Sequence, residues 1–138
     1  MNPIRHCVMD LRHLGLPVRD EWRSQQFYTD YFGFDPATAR ECEDGTVIIR
    51  NAYGFALALH PVGHVEPSPA FLHAGFQAAE PAEVRALMER MKADGVTIVE
   101  RDDEAGYVAF KCLDPDGHRI EVGWERHARS PGTDSCSP

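Results

Sequence analysis

The sequence predicts an α+β fold built from two βαβββ modules, each a mixed sheet backed by one helix. Three observations predict it. Strand-like alternation, then helical spacing, then three more strand-like runs occur in the same order twice, over about residues 9–60 and 69–125. Turn residues such as "EDG", "NAYG" and "DPDG" separate the runs. A Pro- and Gly-rich stretch, "PVGHVEPSP", joins the two halves. At 138 residues the chain suits one domain with a real core. That domain is expected to span residues 1–125, and the polar segment 126–138 to be a disordered tail.

The first module opens on "DLRHLGLPV". Leu14, Leu16 and Val18 share one face of this strand, and His13, Gly15 and Pro17 the other. Asp20 is placed to cap a helix through "EWRSQQFYTDYF", and Gly33 to stop it. In that helix Ser24, Phe27, Tyr28 and Tyr31 follow helical spacing. Strands follow around Thr38–Cys42, at "TVIIR" and at "FALALH".

The second module opens on "AFLHAGFQA". Leu72, Ala74 and Phe76 face one way, and His73, Gly75 and Gln77 the other. A helix is expected over "EPAEVRALMERMKADG", with Pro81 in its first turn and Gly95 at its end. Val84, Leu87, Met88 and Met91 form its apolar stripe, read as core packing. The strands "TIVER", "GYVAFKCL" and "HRIEVGW" complete the module.

Composition excludes several classes. A net charge of −8 is the wrong sign for a nucleic-acid partner. No apolar run reaches the ~18 residues of a membrane span, so no membrane partner is expected. Cys7, Cys42, Cys112 and Cys136 are scattered, without a CxxC pair or a disulfide pattern. Together with an N-terminus that lacks an apolar leader core, they point to a cytoplasmic, reducing setting.

The polar positions carry the functional argument. If each helix covers the apolar face of its sheet, the other faces of the two modules can close around a cavity. His13 and His73 point to those faces. In the last strand Arg119, Glu121 and Gly123 oppose Ile120, Val122 and Trp124. Two imidazoles and one carboxylate make a set that binds a divalent metal and leaves positions open for other ligands. Alternation alone leaves the ordinary reading open, since exposed His and Glu are common on strands.

The pieces "LRHLGLPVRD", "FYTDYFGF", "FLHAGFQ", "MKADGV" and "LDPDGHRIEV" run in an order that resembles the glyoxalase/bleomycin-resistance/dioxygenase superfamily, the vicinal oxygen chelate proteins. The resemblance covers about residues 9–125. It implies one divalent metal (Fe(II), Mn(II), Ni(II) or Zn(II)) held from the first, fifth and last strands, where His13, His73 and Glu121 stand. It also implies a small oxygenated substrate and a homodimer, whose sites are in some relatives shared between chains. Some relatives take a fourth ligand from the fourth strand. That position falls at about Ala58, which cannot coordinate, and a glyoxalase I activity is therefore not expected.

Nearest in motif are three-ligand members, the fosfomycin-resistance proteins and the ring-cleaving dioxygenases. Both tend to carry Tyr where this chain has Lys111. The expectation leans slightly to dioxygenase-like Fe(II) chemistry. Epoxide opening, an isomerase or lyase reaction, and metal-free sequestration of an antibiotic are the alternatives. Lys111, His60 and Tyr107 are the candidate catalytic residues. Lys111 shares a strand face with Tyr107 and could anchor an anion, or act as acid or base with a lowered pKa. His60 lies one pleat beyond Ala58, about 7 Å along the strand. Gln77 and Arg50 are further candidates for the cavity lining. Arg119 is expected in a surface salt bridge, His118 in a turn and His64 at the surface.

Overall fold

The computed structural model describes residues 8–126. The expected tail at 126–138 and the thiols of Cys7 and Cys136 lie almost wholly outside them. The chain divides into two compact units, Met1–Val65 and Glu66–Pro138.

The first unit runs β1 (His13–Val18), α1 (Glu21–Phe32), β2 (Asp35–Glu41), β3 (Val47–Arg50) and β4 (Ala56–Pro61). Its sheet order is β1-β4-β3-β2, with β1 parallel to β4 and the other pairs antiparallel. The second unit repeats the plan with β5 (Ala74–Gln77), α2 (Pro81–Ala93), β6 (Ile98–Glu104), β7 (Tyr107–Leu113) and β8 (Arg119–Glu125). Its order is β5-β8-β7-β6, with β5 parallel to β8. The fold is α+β as expected. Each sheet is open, with two edge strands.

Both helices form where their end residues dictate. The Asp20 side chain accepts the Arg23 N–H at 3.1 Å, satisfying one of the free donors of the first turn. Gly33 ends α1 in the left-handed region, at φ 70°, where a side chain would be strained. Pro81 opens α2, and the Val96 N–H bonds back to the Met91 carbonyl at its end. Ser24, Phe27 and Tyr28 of α1 are buried with Leu16, Val18, Ile49, Leu57 and Leu59. Phe27 and Tyr28 meet edge to face at 5.1 Å. In the second unit Val84 and Met91 of α2 are buried with Phe110, Cys112, Ile120 and Val122. Leu87 and Met88 are half-buried at the margin of that stripe.

Three element boundaries differ from expectation. β2 begins at Asp35, three residues early, and its pairing with β3 shifts register between Asp35 and Arg40. β5 begins at Ala74, so Phe71, Leu72 and His73 precede the strand. Phe71 has φ 69°, and that left-handed turn keeps the chain out of the sheet. β6 runs on to Glu104 and carries a bulge between Ile98 and Glu100. No helix among the described residues is long and apolar enough to cross a membrane.

Candidate metal centre

The face of the second sheet opposite α2 is set by register. Gly75 of β5 lies beside Glu121 of β8, Glu121 beside Lys111 of β7, and Lys111 beside Glu100 of β6. Ile120 and Val122, which flank Glu121, are buried toward α2, so the carboxylate turns the other way. It stands on the face opposite the helix, as alternation predicts.

His73 and Glu121 come together. His73 Nε2 lies 2.9 Å from Glu121 Oε2, with both side chains partly exposed. His73 Nδ1 lies 2.8 Å from the Phe71 carbonyl oxygen. A carbonyl can only accept, so Nδ1 carries a proton. Nε2 of the neutral ring is then a lone-pair atom facing a carboxylate oxygen. Two acceptors at that distance need a positive centre between them, either a second ring proton or a metal ion. Ligating histidines commonly fix their tautomer by this kind of bond to a carbonyl. Two neighbouring ligand atoms of an octahedral site, each about 2.1 Å from the ion, stand about 3.0 Å apart. The pair therefore fits a metal. Within either unit, among the described residues, no three His, Cys, Asp or Glu side chains gather into a ligand set. His13 belongs to the first unit, where it is exposed at the start of β1.

The other oxygen of Glu121 is also assigned. The Tyr107 hydroxyl donates to Glu121 Oε1 at 3.0 Å. Burial, and then the carboxylate, push the phenol up to about 12, so it stays protonated. Lys111 binds Glu100 at 2.6 Å. That carboxylate raises the ammonium above its usual range, and Lys111 in turn lowers Glu100. This corrects the expectation of a lysine with a lowered pKa. Lys111 is a positive charge beside Glu121, paired with Glu100. Glu100 was missed because the β6 bulge re-aims it; strict alternation from Ile98 sends it under the helix. A recess of about 40 Å³ lies among Glu100, Tyr107, Lys111 and Glu121. That volume holds a few waters at most.

The remaining candidates are placed as follows. His60 Nδ1 is 2.9 Å from the hydroxyl of buried Thr46, in the first unit. A Cβ on Gly15 would stand 3.1 Å from His60 Nε2, so the glycine makes room for the ring. Gln77 and Arg50 are exposed, and Arg50 donates to the Gly54 carbonyl at 3.2 Å. Arg119 reaches the Pro69 carbonyl at 3.5 Å, not the expected acidic partner. His118 lies in the turn as expected but is buried, its N–H bonded to Asp114 Oδ1. His64 is exposed.

A family model described as the glyoxalase/bleomycin resistance protein/dioxygenase superfamily matches residues 10–122. No curated protein is significantly similar in sequence. Among solved structures, one described as a possible glyoxalase from Bacillus cereus is 28% identical, with a TM-score of 0.70, over 83% of this chain and 98% of that one. The genomically encoded fosfomycin resistance protein FosX from Listeria monocytogenes is 21% identical, with a TM-score of 0.71, over 86% and 94%. A point variant of that FosX, complexed with Mn(II) and 1S,2S-dihydroxypropylphosphonic acid, is 20% identical, with a TM-score of 0.71, over 88% and 93%. With a match over most of its length and the same order of elements in both modules, the chain belongs to the glyoxalase/bleomycin resistance protein/dioxygenase superfamily.

Proposed function

We propose that this protein is a divalent-metal-dependent enzyme acting on a small oxygenated molecule. His73 and Glu121 hold the ion from the second module, and His13 completes the set from a first module, of the same chain or of a second copy. The observation that carries this is the pair itself: a tautomer-fixed His73 Nε2 facing Glu121 Oε2 at 2.9 Å. When bound, such an ion polarises substrate oxygens as a Lewis acid. The chain's own contribution is then positional. Lys111, held protonated by Glu100, offers a positive charge beside the carboxylate for an anionic oxygen of the substrate.

The recess on the second module is far below the ~300 Å³ of a small-molecule pocket, so a substrate needs walls from a first module as well. In this proposal residues 1–125 act as one domain, and the working form is a homodimer. Cys42 and Cys112 are free thiols, in keeping with a cytoplasmic setting.

Dioxygenase-like Fe(II) chemistry remains the leading reading, with Lewis-acid epoxide opening, as the FosX likeness suggests, the alternative. Metal content decides the proposal. Purified protein incubated with Mn(II), Fe(II), Ni(II) or Zn(II) and desalted is expected to keep about one ion per His13/His73/Glu121 set. His73→Ala and Glu121→Ala are expected to lose it while keeping their circular dichroism spectrum. No retained metal in the unsubstituted protein, or full retention in both variants, sinks the proposal.

A further inference from the structure

We infer that Tyr107 is a positioning residue that makes Glu121 a one-oxygen ligand. The inference rests on the metal reading above, and it replaces the expectation that Tyr107 is catalytic.

The two carboxylate oxygens have different partners. Oε1 accepts from the Tyr107 hydroxyl at 3.0 Å, and Oε2 faces His73 Nε2 at 2.9 Å. A carboxylate free to rotate can offer one oxygen or both to an ion. With Oε1 drawn to the Tyr107 hydroxyl, Oε2 is the oxygen turned toward His73 and toward an ion beside it.

The sheet is built to permit this contact. Tyr107 lies opposite Glu125, four pairs along the β7–β8 ladder from the Lys111–Glu121 pair and on the same face. The one intervening pair on that face is Ala109 and Gly123. Neither carries a side chain large enough to separate the phenol from the carboxylate. A Cβ on Gly123 would already stand 3.6 Å from the Ala109 Cβ and 3.9 Å from Glu121 Oε1. The carboxylate thus lies back over the glycine toward Tyr107.

His73 is fixed in parallel, from its far nitrogen, by the Phe71 carbonyl. Each ligand is therefore oriented by a group that does not touch the ion. Outer partners of this kind typically change metal affinity by about 10–100-fold.

Cobalt(II) provides the test, because its visible spectrum reports coordination number without turnover. Apo protein, Tyr107→Phe and Glu121→Ala are titrated with Co(II) at a temperature where each apo form is folded by circular dichroism. The expected result is that Tyr107→Phe binds about 10–100-fold more weakly. Its d–d bands should also weaken, as the freed carboxylate turns both oxygens to the ion. An unchanged affinity and spectrum in Tyr107→Phe, while Glu121→Ala loses cobalt, overturns this inference alone. Failure of the unsubstituted protein to bind Co(II) overturns the metal reading and this inference with it.

Discussion

The same row of residues crosses each sheet at the same place, and its two versions differ in chemistry. In the first module it reads Gly15, Ala58, Ile48, Arg40 across β1, β4, β3 and β2. In the second it reads Gly75, Glu121, Lys111, Glu100 across β5, β8, β7 and β6. Each row starts two residues after a histidine, His13 or His73. The backbone plan is duplicated, but only one copy has a carboxylate beside its histidine. Ala58 is half-buried and holds the position that Glu121 holds in the other sheet. The second module carries the charged row, and the first presents glycine, alanine, isoleucine and arginine at the same positions. A duplicated fold can thus divide its labour by side chain alone, at fixed register.

The largest expected effect tests whether the two cores are separate. Phe110 is 2% exposed in the second module, and Phe110→Ala should cost about 3–5 kcal/mol. Because no described ladder crosses between the units, hydrogen exchange should quicken in β7 and β8 while β3 and β4 keep their protection. Equal loss in both sheets would break the comparison.

Next comes pH. Burial pushes the Cys112 thiol from 9.0 up to about 12, so the folded state holds its proton longer than the unfolded chain does. Stability from this group is intact below pH 9 and is lost as pH rises toward 12, by up to about 1.4 kcal/mol per pH unit. Denaturant midpoints measured across that range should fall, and Cys112→Ala should flatten the limb.

Giving the first module its missing carboxylate sharpens the contrast. Ala58→Glu places an acid on the row that holds Glu121 in the second sheet, and should tighten metal binding by about tenfold, or 1.4 kcal/mol. Calorimetry showing no change would separate the two rows functionally.

The smallest effect concerns the helices. Asp20→Ala removes a formed cap and should cost about 1 kcal/mol. Glu80→Ala at the equivalent position of α2 should cost little, since that side chain makes no capping bond. Thermal melts of the two variants compare them directly.

What was legible in the sequence follows the regular parts of the chain. α1 could be read to the residue because Asp20 and Gly33 are local signals acting on neighbouring backbone. The faces of β1, β7 and β8 followed alternation because those ladders are unbroken. Alternation fails at β6, where one extra residue reverses the phase, and so Glu100 was not seen as the partner of Lys111. β5 is shorter than its pattern because Phe71 leaves the extended region, a backbone choice its side chain does not announce. The directions of His73 and Glu121 were readable. The hydroxyl that holds Glu121 was not, because Tyr107 reaches it diagonally over Ala109 and Gly123, across 14 residues of sequence.

The edges of the two sheets carry a consequence for the protein in bulk. β2 and β6, the outermost strands, both break register, and β2 also contains Pro36. β6 carries the acidic run Asp102, Asp103 and Glu104, while the opposite edges are a strand containing Pro17 and one of only four residues. None of these borders offers a long, flat row of backbone donors and acceptors to a neighbouring molecule. Concentrated solutions should therefore resist fibril growth by strand stacking, and assemblies of this chain should form through side-chain surfaces.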